Sequence, residues 1–210
     1  MAEAPIDYER GKIATLETYN HSASQLAEYF AGIGPRDDDI RLGIGLTGKS
    51  NPRVVEIGCG DGRDAAVILK YTNDYLGMDL SEGMLALARQ KNPEADFRQG
   101  DLAEFVIPER TDVIFSFASI LHSPPDDVTT FLRTSGDALN EPGFLMISTK
   151  QGCEPVVKQD EFGERTFYLY EPEDLIRLAP SLLEPHSLDF QRIGSTDWFT
   201  LILRKRDGTR

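Results

Sequence analysis

The chain has 210 residues and a formal net charge of −13, from 22 basic and 35 acidic side chains. This length favours a single domain and excludes two large ones. Because so acidic a surface repels phosphate backbones and anionic lipid, it argues against nucleic-acid and membrane partners and favours a small molecule. With 40% hydrophobic and 27% charged residues, the composition is that of a folded globular protein with a substantial core.

Targeting and redox features are sparse. No run reaches the roughly 18 apolar residues of a membrane helix, and residues 1–10 lack the basic and apolar regions of a signal peptide. We therefore expect a cytoplasmic protein. The two cysteines, Cys59 and Cys153, lie far apart in the sequence, which predicts neither a disulfide framework nor a metal site.

Residues 8–32 at the start of the chain predict one or two helices, and residues 34–51, with four glycines, predict a flexible bridge. We expect residues 1–50 to form a helical cap and bridge, and residues 51–210 to form the main domain, in one folding unit with the cap. The cap is either a lid over a site or a helix that covers a sheet edge.

Short, nearly continuous apolar segments then alternate with amphipathic patterns. The predicted strands are 53–57, 75–78, 95–99, 113–117 and 143–149. The predicted helices, in which apolar residues recur every three or four positions, are 64–71, 82–92 and 126–140. This alternation predicts an α/β fold, with a doubly wound and mostly parallel sheet that carries helices on both faces.

After residue 149 the pattern changes. A polar loop is followed by an extended aromatic run over 165–170 and a short helix near 172–178. The remaining residues predict two strands joined by a turn-like segment at 194–197, which favours an antiparallel hairpin that closes the sheet. These strands cover residues 187–193 and 198–204.

The most informative segment is 54–64, where an apolar strand runs through a glycine-rich turn into a helix. Glycines allow a ligand to approach the backbone, at the sheet edge where doubly wound folds bind nucleotides, although a tight structural turn is an alternative. The spacing G-x-G-x-G lacks the third glycine of a dinucleotide-binding turn, because Arg63 stands at that position. Glu56 places a carboxylate just before the turn, which favours a cationic ligand group over a pyrophosphate.

This segment resembles the first motif of the class I S-adenosylmethionine-dependent methyltransferases, an acidic residue followed by G-x-G-x-G. Further motifs similar to that family follow in order between residues 52 and 150. They are a second strand that ends in Asp79, the segment 97–102, a fourth strand that runs into residues 118–122, and the turn 139–144 into the fifth strand. The resemblance implies a Rossmann-like fold and an enzyme of the small-molecule type.

The resemblance also implies S-adenosylmethionine as the cofactor. By it, Asp79 accepts hydrogen bonds from the ribose hydroxyls, Asp101 accepts from the adenine amino group, and Tyr19 closes over the methionine end. Helix caps, for the two aspartates, and simple burial, for Tyr19, are the alternatives. The implied cofactor-binding residues are Tyr19, Glu56, Gly58, Cys59, Gly60, Gly62, Asp79, Leu80, Met84, Asp101, Leu102 and Phe117.

Candidate acceptor and catalytic residues lie further along the chain. The family varies the region around residue 165 to suit its acceptors, so the predicted substrate-binding residues are Arg165, Tyr168 and Tyr170. Because side chains alternate along a strand, only some of these face a pocket, and we expect Phe167 to pack in the core. His122, just past the fourth strand, is the predicted general base for an acceptor that arrives protonated; the alternative is that it packs or orients its loop.

The sequence thus predicts methyl transfer to an O, N or C nucleophile of a small molecule. A non-catalytic S-adenosylmethionine-binding regulatory module would keep the cofactor motifs but lack an acceptor cavity. A methyltransferase for protein or RNA is less compatible with the acidic balance. A nicotinamide-dependent reductase would need the glycine spacing that Arg63 interrupts.

Overall fold

The computed structural model describes residues 7–208, which form nine strands and seven α-helices. The strands are β1 Val54–Ile57, β2 Tyr75–Asp79, β3 Asp96–Gln99, β4 Thr111–Phe117, β5 Leu139–Lys150, β6 Val156–Asp160, β7 Gly163–Phe167, β8 Leu183–Ile193 and β9 Thr196–Lys205. The helices are α1 Tyr8–His21, α2 Ala23–Ala31, α3 Asp37–Leu46, α4 Ala65–Ile68, α5 Glu82–Lys91, α6 Pro125–Ala138 and α7 Pro172–Leu178. A 3-10 helix spans Ile120–His122.

Seven strands form one sheet in the order β3-β2-β1-β4-β5-β9-β8. The first five are parallel, and β9 and β8 continue the sheet antiparallel. The predicted α/β, Rossmann-like doubly wound architecture with an antiparallel C-terminal hairpin is confirmed. No helix of residues 7–208 is long and apolar enough to span a bilayer.

Every residue of β1 and β4 is buried, so the centre of the sheet needs cover on both faces. Val55 belongs to a core cluster that includes Phe131 of α6. Val54, on the opposite face, belongs to a second cluster that includes Ile40 of α3 and Leu85 of α5. The period-two alternation of β1 therefore divides the core into two layers, one on each side of the sheet.

The flexible bridge predicted for residues 34–51 is wrong, because α3 occupies most of it. Ile40 and Ile44, one helical turn apart, are both buried. Gly43 lies between them and packs so closely on the sheet that an added Cβ would stand 2.5 Å from the Phe115 ring. A glycine that reads as a helix breaker is here the residue that lets the helix approach the sheet.

The polar loop predicted after residue 149 contains a strand, β6, that pairs with β7 in a separate antiparallel hairpin. This hairpin is attached to α1 through side-chain to backbone hydrogen bonds. Thr15 Oγ1 accepts from the Thr166 N–H at 2.9 Å, and Thr18 Oγ1 donates to the Glu164 carbonyl at 2.8 Å. The first helix and the late hairpin thus form one wall above the sheet.

Candidate functional site

A cavity of about 580 Å³ lies at the carboxyl ends of β1, β2, β4 and β5. Connections leave β1 and β4 in opposite directions along the sheet, so the cavity sits at the topological switch point where such folds bind ligands. Residues of α1 and of the β6–β7 hairpin form its other walls. The volume is in the range of small-molecule sites.

The glycine turn after β1 forms one end of the cavity. Gly58, Gly60 and Gly62 have φ angles of 76°, 54° and 74°, a region that favours glycine. No atom lies within 4 Å of a Cβ built on Gly60, which lines the cavity, so any side chain there would occupy ligand space. A Cβ on Gly62 would stand 3.1 Å from Ala88, and this glycine instead allows the turn to pack on α5.

Asp79, the last residue of β2, holds the glycine turn in place. Its Oδ2 accepts from the Gly60 N–H at 2.8 Å, and its Oδ1 accepts from the Ser81 N–H at 2.9 Å. Burial raises the pKa of the carboxyl, and the backbone donors oppose that rise. Each carboxylate oxygen keeps a second lone pair, so Asp79 remains able to accept from ligand hydroxyls in the cavity that it lines.

Asp101, beyond β3, is oriented by two cationic or polar donors. Its Oδ2 forms an ion pair with Lys12 of α1 at 2.5 Å, and its Oδ1 accepts from the Ala103 N–H at 2.9 Å. The neighbouring Leu102 also lines the cavity. Sequence reasoning missed Lys12, because only the folded chain brings α1 beside the end of β3.

Glu56 does not line the cavity; it is buried behind the glycine turn, where its Oε2 accepts from Tyr75 Oη–H at 2.5 Å. Burial, together with the negative charge of Asp64, raises the pKa of Glu56 to about 8. This rise in pKa favours the neutral carboxyl in the free protein. Because Glu56 lies behind the turn, its predicted attraction for a cationic ligand group would act through the turn rather than by direct contact, and it stays a prediction.

Tyr19 and His122 meet in the cavity wall. The Tyr19 hydroxyl lies 3.0 Å from His122 Nε2, and His122 Nδ1 lies 2.8 Å from the Thr166 carbonyl oxygen. A carbonyl can only accept, so Nδ1–H donates to Thr166 and the bare Nε2 accepts from Tyr19. Burial lowers the pKa of His122 to about 3, and the positive charges of Arg165 and Lys150 add to this.

The acceptor residues predicted from the sequence separate in the structure. Arg165 lines the cavity, whereas Tyr168 and Tyr170 lie outside it and pack in the main core. Tyr170 Oη–H donates to the Ser123 carbonyl at 2.6 Å. Phe167, expected in the core, forms part of the cavity wall instead, because the alternation of β7 directs it to the same face as Arg165.

Most predicted cofactor residues come together in the cavity wall. The lining set comprises Tyr19, Gly58, Cys59, Gly60, Asp79, Leu80, Met84, Asp101, Leu102 and Phe117. Glu56 and Gly62 support the turn from behind. Many further lining residues were missed, among them Lys12, Arg36, Lys150 and Trp198. The sequence did offer a signal for Lys150, since it directly follows the fifth predicted strand, 143–149.

The fold and the cavity at its switch point are those of a Rossmann-like protein, and comparison with known proteins shows what the chain is similar to. Residues 54–143 match the family described as methyltransferase domain. Ubiquinone biosynthesis O-methyltransferase of Azorhizobium caulinodans is 32% identical over 102 residues, which are 46% of this chain and 40% of that protein. Trans-aconitate 2-methyltransferase of Afipia carboxidovorans is 33% identical over 97 residues, 45% of this chain and 37% of that protein. The chain thus spans 37–40% of these two curated relatives.

Among solved structures, the 1,6-didemethyltoxoflavin-N1-methyltransferase of Burkholderia thailandensis, with bound 1,6-didemethyltoxoflavin and S-adenosylhomocysteine, has a TM-score of 0.72 to this chain. The match covers 98% of this chain and 94% of that one at 19% identity, and so concerns the fold. Residues 54–143, less than half of the chain, match this methyltransferase domain, and the proteins it resembles include S-adenosylmethionine-dependent methyltransferases, whose cofactor is S-adenosylmethionine. The open space above Gly60 and the free lone pairs of Asp79 fit that cofactor.

Proposed function

We propose that this protein transfers a methyl group from S-adenosylmethionine to an O, N or C nucleophile of a small molecule. One observation carries the proposal: the cavity continues past the glycine turn into a second half, lined by His122, Lys150, Arg165, Phe167 and Trp198. A non-catalytic cofactor-binding module has no need of this second half. The cavity of about 580 Å³ and the net charge of −13 favour a small acceptor over protein or RNA.

S-adenosylmethionine, when bound, supplies an electrophilic methyl group on a sulfonium. The chain's own contribution is to hold the acceptor in line with that group and to keep water away, which supplies most of the rate. Tyr19 and Phe167 offer an apolar wall for this purpose. Tyr19 is held in a fixed orientation by His122, and Asp79 and Asp101 are proposed to bind the ribose and the adenine, respectively.

The general-base role of His122 remains a prediction, and the geometry favours its alternative. A pKa near 3 makes the ring a weak base at neutral pH, and its free lone pair already accepts from Tyr19. A proton from the acceptor would reach Nε2 only through Tyr19 Oη, which would receive one proton as it gives up another. We propose that His122 mainly positions Tyr19.

The proposed compartment is the cytoplasm. Cys153 is exposed and carries a free thiol, a state that a reducing compartment preserves.

A lid movement of residues 1–50 also remains a proposal, supported by the contribution of Lys12 and Tyr19 to the cavity wall.

Calorimetric titration with S-adenosylhomocysteine, with NADH as a control, tests the cofactor. Saturable binding of the homocysteine nucleoside alone is expected. Incubation with S-adenosylmethionine that carries a labelled methyl group, together with a panel of small O, N and C nucleophiles, then tests transfer. Binding of NADH alone, or cofactor binding without label transfer to any member of the panel, would contradict the proposed reaction.

A further inference from the structure

The cavity wall contains several cations, although the chain as a whole is strongly acidic. These are Lys12, Arg36, Arg63, Lys150, Lys158 and Arg165. Five of them form an ion pair with a carboxylate within 4.0 Å. Lys150 forms no ion pair within residues 7–208. Of these six cations, it is therefore the one whose charge no described carboxylate balances.

Lys150 ends β5, and aromatic rings surround its ammonium group. Its Nζ lies 4.0 Å from the Phe167 ring centroid and 5.9 Å from that of Trp198. Ring faces attract a cation but cannot replace the three acceptors that an ammonium group seeks. Burial lowers the pKa of Lys150, and the nearby Lys158 and Arg165 add to this effect. Within residues 7–208, no carboxylate balances the charge of this partly buried ammonium group.

Arg165 gives a second, independent sign of a missing partner. Its side chain is 7% exposed, and one terminal nitrogen is paired with Asp160. Its Nε is buried and has no hydrogen-bond partner in the described part of the chain. The guanidinium carbon lies 5.5 Å from the same Phe167 ring that contacts Lys150. A buried donor without an acceptor is costly, unless a ligand provides the acceptor.

The position of these groups separates them from the nucleoside end of the site. In the sheet, β5 lies beyond β4, on the side of β1 opposite to β2 and β3, which carry the residues proposed for ribose and adenine. Two strand spacings place the end of β5 about 10 Å from the end of β1. Lys150 and Arg165 therefore belong to the acceptor half of the cavity.

The net charge of this part of the cavity wall indicates what charge the acceptor carries. Lys150, Lys158 and Arg165 face two carboxylates in the same part of the wall, those of Asp160 and Glu161. One positive charge remains, which matches a singly charged carboxylate better than a phosphate dianion. Building on the function proposed above, we infer that the methyl acceptor is a small molecule with a carboxylate, which Lys150 and Arg165 Nε bind and which anchors it beside Phe167.

The test uses the full chain saturated with S-adenosylhomocysteine, and it measures binding rather than turnover. The probes are benzoate, cinnamate and hexanoate, each beside its uncharged amide, with phenyl phosphate as a dianion. At least one carboxylate is expected to bind ten times more tightly than its amide. Lys150→Met should remove this preference, and Lys150→Arg, which keeps the charge, should retain it. Lys70→Met, outside the cavity wall, is the charge-matched control and should behave as the wild type.

Several results would overturn the inference. They are equal binding of carboxylates and amides, binding of no probe, tighter binding of phenyl phosphate than of any carboxylate, or an unchanged preference in Lys150→Met. Loss of S-adenosylhomocysteine affinity in Lys150→Met, with the fold intact by thermal melting, would assign Lys150 to the cofactor's own carboxylate instead. Failure of the wild type to bind S-adenosylhomocysteine would reject the proposed function itself, a separate and recognisable outcome.

Discussion

The hydroxyl of Tyr19 donates a hydrogen bond to Nε2 of His122 at 3.0 Å, and so joins α1 to the turn after β4. The Thr166 carbonyl fixes the other ring nitrogen and thereby the tautomer. Three distant segments, one from the cap, one from the sheet and one from the β6–β7 hairpin, thus meet at a single imidazole. This arrangement orients Tyr19 toward the cavity that it lines.

We expect Tyr19→Phe and His122→Phe to lower kcat/KM by similar factors, because each removes the same hydrogen bond. The double variant should lose little more than either single one, with a coupling of about 1 kcal/mol. Turnover of a small acceptor identified by the labelled-methyl screen measures these changes in kcat/KM.

Since the pKa of His122 is about 3, the wild-type kcat profile should show no inflection from this residue between pH 5 and 9. An inflection that His122→Phe abolishes would restore its role as general base.

Asp79→Ala should weaken S-adenosylhomocysteine binding by about 1–3 kcal/mol, because it leaves ribose hydroxyls and the Gly60 N–H without an acceptor. Calorimetric titration measures the change. Asp96→Ala, which removes an exposed carboxylate of β3, is the control and should leave affinity unaltered. Equal affinities of wild type and Asp79→Ala would reject the ribose assignment.

Glu56 should make the free protein less stable as the pH rises. Its pKa is about 8 in the folded state and near 4.5 in a free side chain, so the folded state holds a proton that the unfolded state releases between these values. Stability from this group is complete below pH 4.5 and is lost as the pH rises to 8, by at most about 1.4 kcal/mol per pH unit. Relative to wild type, Glu56→Gln should therefore gain stability between pH 6.5 and 8 in urea unfolding. Parallel stability curves would show that Glu56 is already ionised in the folded state.

Two glycines of α3 provide a matched pair. Gly43→Ala should destabilise the protein by about 1–3 kcal/mol, because the new methyl group would meet the Phe115 ring at 2.5 Å. Gly45→Ala, with no atom within 4 Å of its added Cβ, should stabilise it by about 0.5–1 kcal/mol through helix propensity. Urea midpoints of the two variants measure the difference. A tolerated Gly43→Ala would mean that α3 does not pack against the sheet as described.

The parts of the fold that the sequence predicted are those in which local pattern and burial agree. The strands β1 and β4 are buried on both faces and are therefore mostly apolar in sequence, with Glu56 and Ser116 as interruptions. The helix α3 was missed because the purpose of Gly43 depends on Phe115, a residue far away in sequence. The strand β6 was missed because its side chains are mostly exposed, and it pairs only with β7.

The site residues also differ in how well the local sequence predicts them. The proposed cofactor half consists of residues that end a strand or form the turn after it, such as Gly60 and Asp79, so the local sequence pattern is enough to predict them. The proposed acceptor half depends on which face of β7 is turned toward the cavity. Arg165 and Phe167 share that face, whereas Tyr168 lies on the other, and no local signal separates these registers.

The hydrogen bond from the Thr166 N–H of β7 to Thr15 Oγ1 of α1 joins residues 151 positions apart in the sequence. At a synthesis rate of about 5–20 residues per second, α1 leaves the ribosome roughly 8–30 seconds before its partner strand exists. During that interval the polar side chains that α1 directs to the hairpin have only water to bind. A nascent chain would thus contain β1 and its glycine turn well before the β6–β7 hairpin, which forms another wall of the cavity, has been made.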